Sequence, residues 1–143
     1  VITWSHFNTW LMFYGAVGVL GAVALAWLPM LKARSVARER QSVMRFAAAM
    51  VVAIVAIRLL AQPDYIAHLA SASLSGVITL PHQPMEIFTR LSGLRLLSWT
   101  LSAVGALLFA VSAWRQGKFG LMVGSLLLVL SEVLFRFMFF CIN

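Results

Sequence analysis

The sequence predicts an all-α integral membrane protein, a bundle of four transmembrane helices occupying the whole of residues 1–143 as one unit. Three observations predict it. The chain is 62% apolar and only 10% charged, whereas a soluble domain carries about 25% charged residues, so it lacks the polar surface to face water all round. Four apolar stretches recur, at about 9–31, 43–61, 94–114 and 119–140, each close to the ~20 residues that cross a bilayer core. In hydrocarbon every backbone group needs an internal partner, so all four are expected as helices. Third, the basic residues gather in two short connections.

The first span, 9–31, carries Trp10 and Tyr14 near one end and Trp27 near the other, as interfacial aromatic belts do. Gly15, Gly18 and Ala22 lie along one side and would let a neighbouring helix approach. The connection that follows holds Lys32, Arg34, Arg38, Arg40 and Arg45, opposed only by Glu39. With Arg115 and Lys118 between the third and fourth spans, these make seven of the eleven basic residues. The positive-inside rule places both connections in the cytoplasm and both chain ends, with the long segment 62–93, on the periplasmic side. The same rule accounts for the net charge of +7 without nucleic acid as a partner.

The second span, 43–61, is kept thin by Ala47, Ala48, Ala49, Ala53 and Ala56 and carries Arg58 one turn from its outer end. Gln62-Pro63 is expected to stop it, because proline cannot continue the hydrogen-bond ladder. Within the outer loop 62–93, Ile66, Leu69, Ala70 and Leu74 recur near helical spacing and predict a short amphipathic helix over 65–74 at the interface. Pro81-His82-Gln83-Pro84 breaks it, and 85–92 is expected to add a helical turn. Arg95 opens the third span. Gly120-x-x-x-Gly124 opens the fourth, and packing within the bundle is its expected use.

The fourth span also contains Ser131-Glu132-Val133-Leu134-Phe135-Arg136. Ionisable residues are expensive in a span and mark functional or packing-critical sites. Glu132 and Arg136 are spaced i,i+4 and can neutralise each other on one face. Arg58 and Arg95 fall in the same outer layer, each a candidate second partner for Glu132 or an arginine that only snorkels to the interface. Two uses fit this quinol-binding or structural layer of Glu132, Arg136, Arg95 and Arg58: holding the polar head of an amphipathic ligand such as a quinol, or fixing helix register beneath a docked partner. His68, His82, Glu86 and Arg90 lie above the layer and are candidates for that docking.

No catalytic or metal-binding set is visible. Cys141 is the single cysteine, which excludes an internal disulfide and cysteine-ligated zinc or iron–sulfur centres. His6, His68 and His82 lack ligand spacing, and none sits inside a span as a bis-histidine haem requires. The chain begins at Val1 with no basic region and cleavage site, and is expected to be part of a longer subunit.

Three stretches resemble the C-terminal half of the DmsC-type membrane anchor subunits of dimethyl sulfoxide reductase and its relatives. The last span, from Leu128 to Phe140, is similar to that family's final helix, with Glu132 and Arg136 four apart and an aromatic pair following. Arg95-Leu96-Leu97-Ser98-Trp99 resembles the arginine-led opening of the preceding span, and His68-Leu69-Ala70-Ser71-Ala72-Ser73 a Ser/Ala-rich loop after a histidine. The family commonly has glycine where Ser131 stands. The resemblance implies half of an eight-helix subunit in the bacterial inner membrane, without haem or metal of its own. Such a subunit oxidises menaquinol and feeds electrons to an iron–sulfur subunit. That subunit supplies a molybdopterin catalytic subunit, and both sit on the outer face. The alternatives are a purely structural anchor, and a small metal or solute transporter fed by outer histidines and Met85.

Overall fold

The computed structural model describes residues 7–31, 37–74 and 84–142. These form six helices and, among the described residues, no strand: α1 (Phe7–Leu31), α2 (Ala37–Leu60), α3 (Gln62–Leu74), α4 (Pro84–Arg90), α5 (Ser92–Arg115) and α6 (Lys118–Ile142). Four are long and apolar enough to cross a membrane: α1, α2, α5 and α6. At 1.5 Å per residue, the 25 residues of α1 or α6 extend ~37 Å, more than a ~30 Å hydrocarbon core. The protein is therefore a multi-pass membrane protein. Lys32, Arg34, His6 and the Pro81-His82-Gln83 stretch lie outside the described residues.

The helices start and stop a little beyond the apolar runs. The largest difference is at α2, which begins at Ala37 and takes Arg38, Glu39 and Arg40 into its first turn. These are good helix formers, and hydropathy marks where lipid ends, not where the helix does. At the other end of α2 the chain turns at Ala61. Ala61 N–H still donates to the Ile57 carbonyl at 3.0 Å, and Tyr65 N–H to the Ala61 carbonyl at 3.3 Å. Pro63 has no N–H to continue the ladder, while the Gln62 side-chain amide donates to the Arg58 carbonyl at 3.2 Å.

The α5–α6 hairpin is the most closely packed pair, followed by α1–α2 and α2–α5, while α1 and α6 touch only slightly. Small residues explain the order. A Cβ on Gly124 would sit 2.7 Å from the Phe109 backbone nitrogen and 3.0 Å from the Gly105 carbonyl oxygen, so α5 and α6 meet backbone to backbone. The Gly120/Gly124 pair thus serves contact within the chain. Between α1 and α2, Gly15 and Gly18 receive Arg58 and Ile54. The core threads Val19, Ala22 and Ala26 of α1, Met44, Ala47, Val51 and Val55 of α2, Phe109 and Ala113 of α5, and Leu121 and Leu128 of α6. At the far end of the loose α1–α6 seam, Trp27 Nε1 donates to Ser125 Oγ at 3.1 Å.

A second, smaller cluster joins α3 and α4. Tyr65, Leu69 and Phe88 are buried together, with Ile66 and Ile87 against them. Tyr65 meets Phe88 edge-on at 6.0 Å.

Candidate functional site

The start of α1, the end of α2, the start of α5 and the end of α6 meet at one end of the bundle, beside α3 and α4. Here Arg58 and Glu132 form a buried ion pair, 3% and 4% exposed. Arg58 Nη1 donates to Glu132 Oε1, and Nη2 donates to Oε2 at 3.2 Å. This two-pronged geometry matches the planar guanidinium to the carboxylate. Nη2 also reaches Met12 Sδ at 3.4 Å, and the guanidinium carbon lies 4.7 Å from the centre of the Phe135 ring. Arg58 Nε, also buried, finds no acceptor among the described residues. Gly15 makes room for this side chain: a Cβ there would stand 2.9 Å from Arg58 Cδ.

The sequence spacing pointed to Arg136 as the nearest partner of Glu132. Of the candidates Arg136, Arg58 and Arg95, it is Arg58 that takes the ion pair, which crosses from α6 to α2. Arg136, half-buried, rests its guanidinium on the Phe13 ring, 4.2 Å from the ring centre, and has no carboxylate partner among the described residues. Phe13 is held in turn by an edge contact with Phe139 at 5.2 Å. Two residues one helical turn apart therefore do different things: Glu132 is enclosed by α2, and Arg136 faces α1.

Arg136 forms one wall of a lateral cleft of about 370 Å³ on the α1–α6 seam, lined otherwise by Thr9, Trp10, Phe13, Tyr14 and Val17. That volume is within the ~300–1,000 Å³ of small-molecule sites. Trp10 and Tyr14 are exposed and stacked, 5.8 Å apart and 9° from parallel. The cleft presents an aromatic wall, one cation and an apolar floor on the outer surface of the bundle. It can take a flat polar head whose apolar tail stays in lipid. A narrow space walled by Met12, Phe13, Phe135, Arg136 and Phe139, and by Arg58 and Glu132 themselves, lies behind the cleft.

Arg95 takes a third role. Its Nη1 donates to the Phe88 carbonyl at 3.2 Å, and its guanidinium lies 4.0 Å from the Phe88 ring centre and 5.4 Å from that of Trp99. It ties α4 to α5. Ser131, fully buried, turns its hydroxyl back onto the Leu128 carbonyl at 2.8 Å and keeps this face of α6 slim.

Of the residues proposed for docking, Glu86 and Arg90 form an exposed i,i+4 pair along α4 at 2.9 Å. His68 is half-buried and its carbonyl accepts from Ser71 Oγ at 2.8 Å. His82 lies outside the described residues. Of the cleft residues, Thr9, Phe13 and Val17 carry no chemical signal in the sequence, and Trp10 and Tyr14 read there as an aromatic belt. Yet Trp10, Phe13, Tyr14 and Val17 follow i, i+3, i+4, i+7 spacing, the mark of a single helix face.

The chain matches no protein-family model, no curated protein and no solved structure.

Proposed function

We propose that the chain is the quinol-binding part of a membrane anchor subunit of a bacterial reductase, of the dimethyl sulfoxide reductase type, in the inner membrane. The α1–α6 cleft receives the ring of menaquinol from the bilayer. The observation that carries this reading is Arg136, stacked on Phe13 and free of any carboxylate among the described residues, at the wall of a lateral cleft of head-group size. The guanidinium can donate to a quinol oxygen, Trp10 and Tyr14 can flank the ring, and the isoprenoid tail can run along Val17 and Leu20, both exposed on α1. Glu132, engaged by both Arg58 prongs, supports the cleft from behind instead of meeting the ligand.

The electron-transfer partners, an iron–sulfur subunit followed by a molybdopterin catalytic subunit, would sit over α3 and α4 at the same end. In support of that face being periplasmic, Arg38, Arg40, Arg45, Arg115 and Lys118 gather at the opposite end.

The test is binding of a fluorescent menaquinol analogue to the protein in lipid nanodiscs, wild type against Arg136→Gln and Val17→Trp. Saturable binding that weakens tenfold or more (about 1.4 kcal/mol) in both variants is the expected result. Binding indifferent to both would remove the ring from this cleft.

The buried Arg58–Glu132 pair favours a second reading, a purely structural anchor whose charges fix helix register. Capture of the iron–sulfur subunit without any quinol affinity would select it.

A further inference from the structure

The opposite end of the bundle carries a second site. Arg40, Gln41 and Met44 on α2, Gln116 in the α5–α6 turn and Lys118 at the start of α6 surround a pocket of about 40 Å³. Two cations from separate hairpins thus converge on one space, and among the described residues no carboxylate lines it. The side chains of Arg40, Gln41, Gln116 and Lys118 make no hydrogen bond or ion pair among the described residues. Met44, 1% exposed, closes the floor against the core. The turn that presents Gln116 is fixed: its φ is 57°, and its N–H donates to the Ser112 carbonyl.

We infer that this pocket binds a phosphate-class anion, and that the phosphodiester of an anionic phospholipid supplies it. Four unengaged donor side chains around a small space, two of them cationic, fit a compact multivalent acceptor better than a carboxylate-bearing peptide. The depth favours the lipid over a soluble phosphate. Apolar spans begin at Arg38 and Lys118 and end at Arg115, so the pocket lies at head-group level. A basic pocket between helix ends on the cytoplasmic side is the setting in which anionic head groups are held. Bound there, the lipid would bridge the α1–α2 and α5–α6 hairpins. This inference does not depend on the quinol reading.

The experiment compares phosphatidylglycerol with phosphatidylcholine in nanodiscs, using native mass spectrometry to count retained lipid and thermal unfolding to read its effect. Wild type is set against Arg40→Gln/Lys118→Gln. A control, Arg45→Gln, removes an exposed cation near the same end that does not line the pocket. The expected result is retention of phosphatidylglycerol with a raised unfolding temperature, both lost in the double variant and kept in the control. Equal loss in double variant and control would reduce the effect to diffuse surface charge and overturn the site, as would no preference between lipids in wild type. Inorganic phosphate is the third arm. If it displaces the lipid at millimolar concentration and reproduces the stabilisation, the pocket takes free phosphate and the lipid assignment fails.

Discussion

Arg58 and Glu132 stand 74 positions apart and meet in a two-pronged ion pair, buried on both sides, that joins α2 to α6. Both side chains are almost wholly withdrawn from solvent, with Met12, Phe135 and the Gly15 face of α1 packed around them. The pair is therefore an all-or-nothing contact. Removing one member of a buried pair leaves an uncompensated charge and costs about 3–5 kcal/mol, whereas replacing both with apolar groups is often neutral. Arg58→Met and Glu132→Leu should each destabilise the bundle by that order, and the double variant should recover most of it. Unfolding by SDS titration in mixed micelles measures the cycle. Additive losses would mean that the two residues do not act as a pair.

Four glycines give a graded series. A Cβ on Gly124 would meet Phe109 backbone atoms at 2.7 and 2.9 Å, and backbone cannot give way cheaply. On Gly15 it would meet Arg58 Cδ at 2.9 Å, and that side chain is pinned by Glu132. On Gly18 it would meet only the tip of Ile54, at 2.6 Å, which can turn aside. Nothing lies within 4 Å of Gly21. Alanine at 124 and 15 should therefore cost ~1–3 kcal/mol by overpacking. Alanine at 18 should cost less, and at 21 it should stabilise by ~0.5–1 kcal/mol through helix propensity. The order of the four unfolding midpoints is the check, and an inverted order would contradict the α5–α6 approach described above.

The four spans were legible because lipid imposes a run of apolar residues on any helix that crosses it, and the polar layer because Glu132 and Arg136 interrupt such a run. What the sequence could not give was which of three arginines, Arg136, Arg58 or Arg95, pairs with Glu132. An i,i+4 interval states which residues share a face of one helix; it does not state which other helix covers that face. Arg58 wins because Gly15 lets α2 close on α1 and carry the guanidinium inward. The cleft was hidden for a related reason. Trp10 and Tyr14 read as an interfacial belt, and only the slight contact between α1 and α6 leaves their stacked rings beside a recess.

Arg95 holds α4 against α5 through one hydrogen bond to the Phe88 carbonyl and the face of the Phe88 ring, with the Trp99 ring of its own helix beside the guanidinium. No other described cation shares those rings, so the contact has no substitute. Arg95→Ala should loosen α4 locally by ~1–3 kcal/mol, the order of a charge-assisted hydrogen bond with a cation–π contact. The global unfolding midpoint should move little, because the α1–α2–α5–α6 core is untouched. Hydrogen exchange resolved over Pro84–Arg90 should accelerate about tenfold or more, while α6 amides stay protected. Unchanged exchange in α4 would mean that the Tyr65–Leu69–Phe88 cluster holds it without help.

Arg136 and Glu132 share a helix face yet should respond to substitution very differently. The Arg136 contact is a guanidinium on a half-exposed ring, worth about 0.5–2 kcal/mol. That of Glu132 is a buried charge pair whose disruption costs several kcal/mol. Arg136→Gln should therefore unfold close to wild type, whereas Glu132→Gln should be markedly weakened. Ligand binding should show the reverse pattern among variants that remain folded. Arg136→Gln and Phe13→Leu both alter the cleft wall and should each lower affinity for a menaquinol analogue. Arg136→Lys should recover little of it, because an ammonium does not stack as a planar guanidinium does. Equal destabilisation by Arg136→Gln and Glu132→Gln would place both in one charge network and remove the division between a supporting pair and a cleft cation.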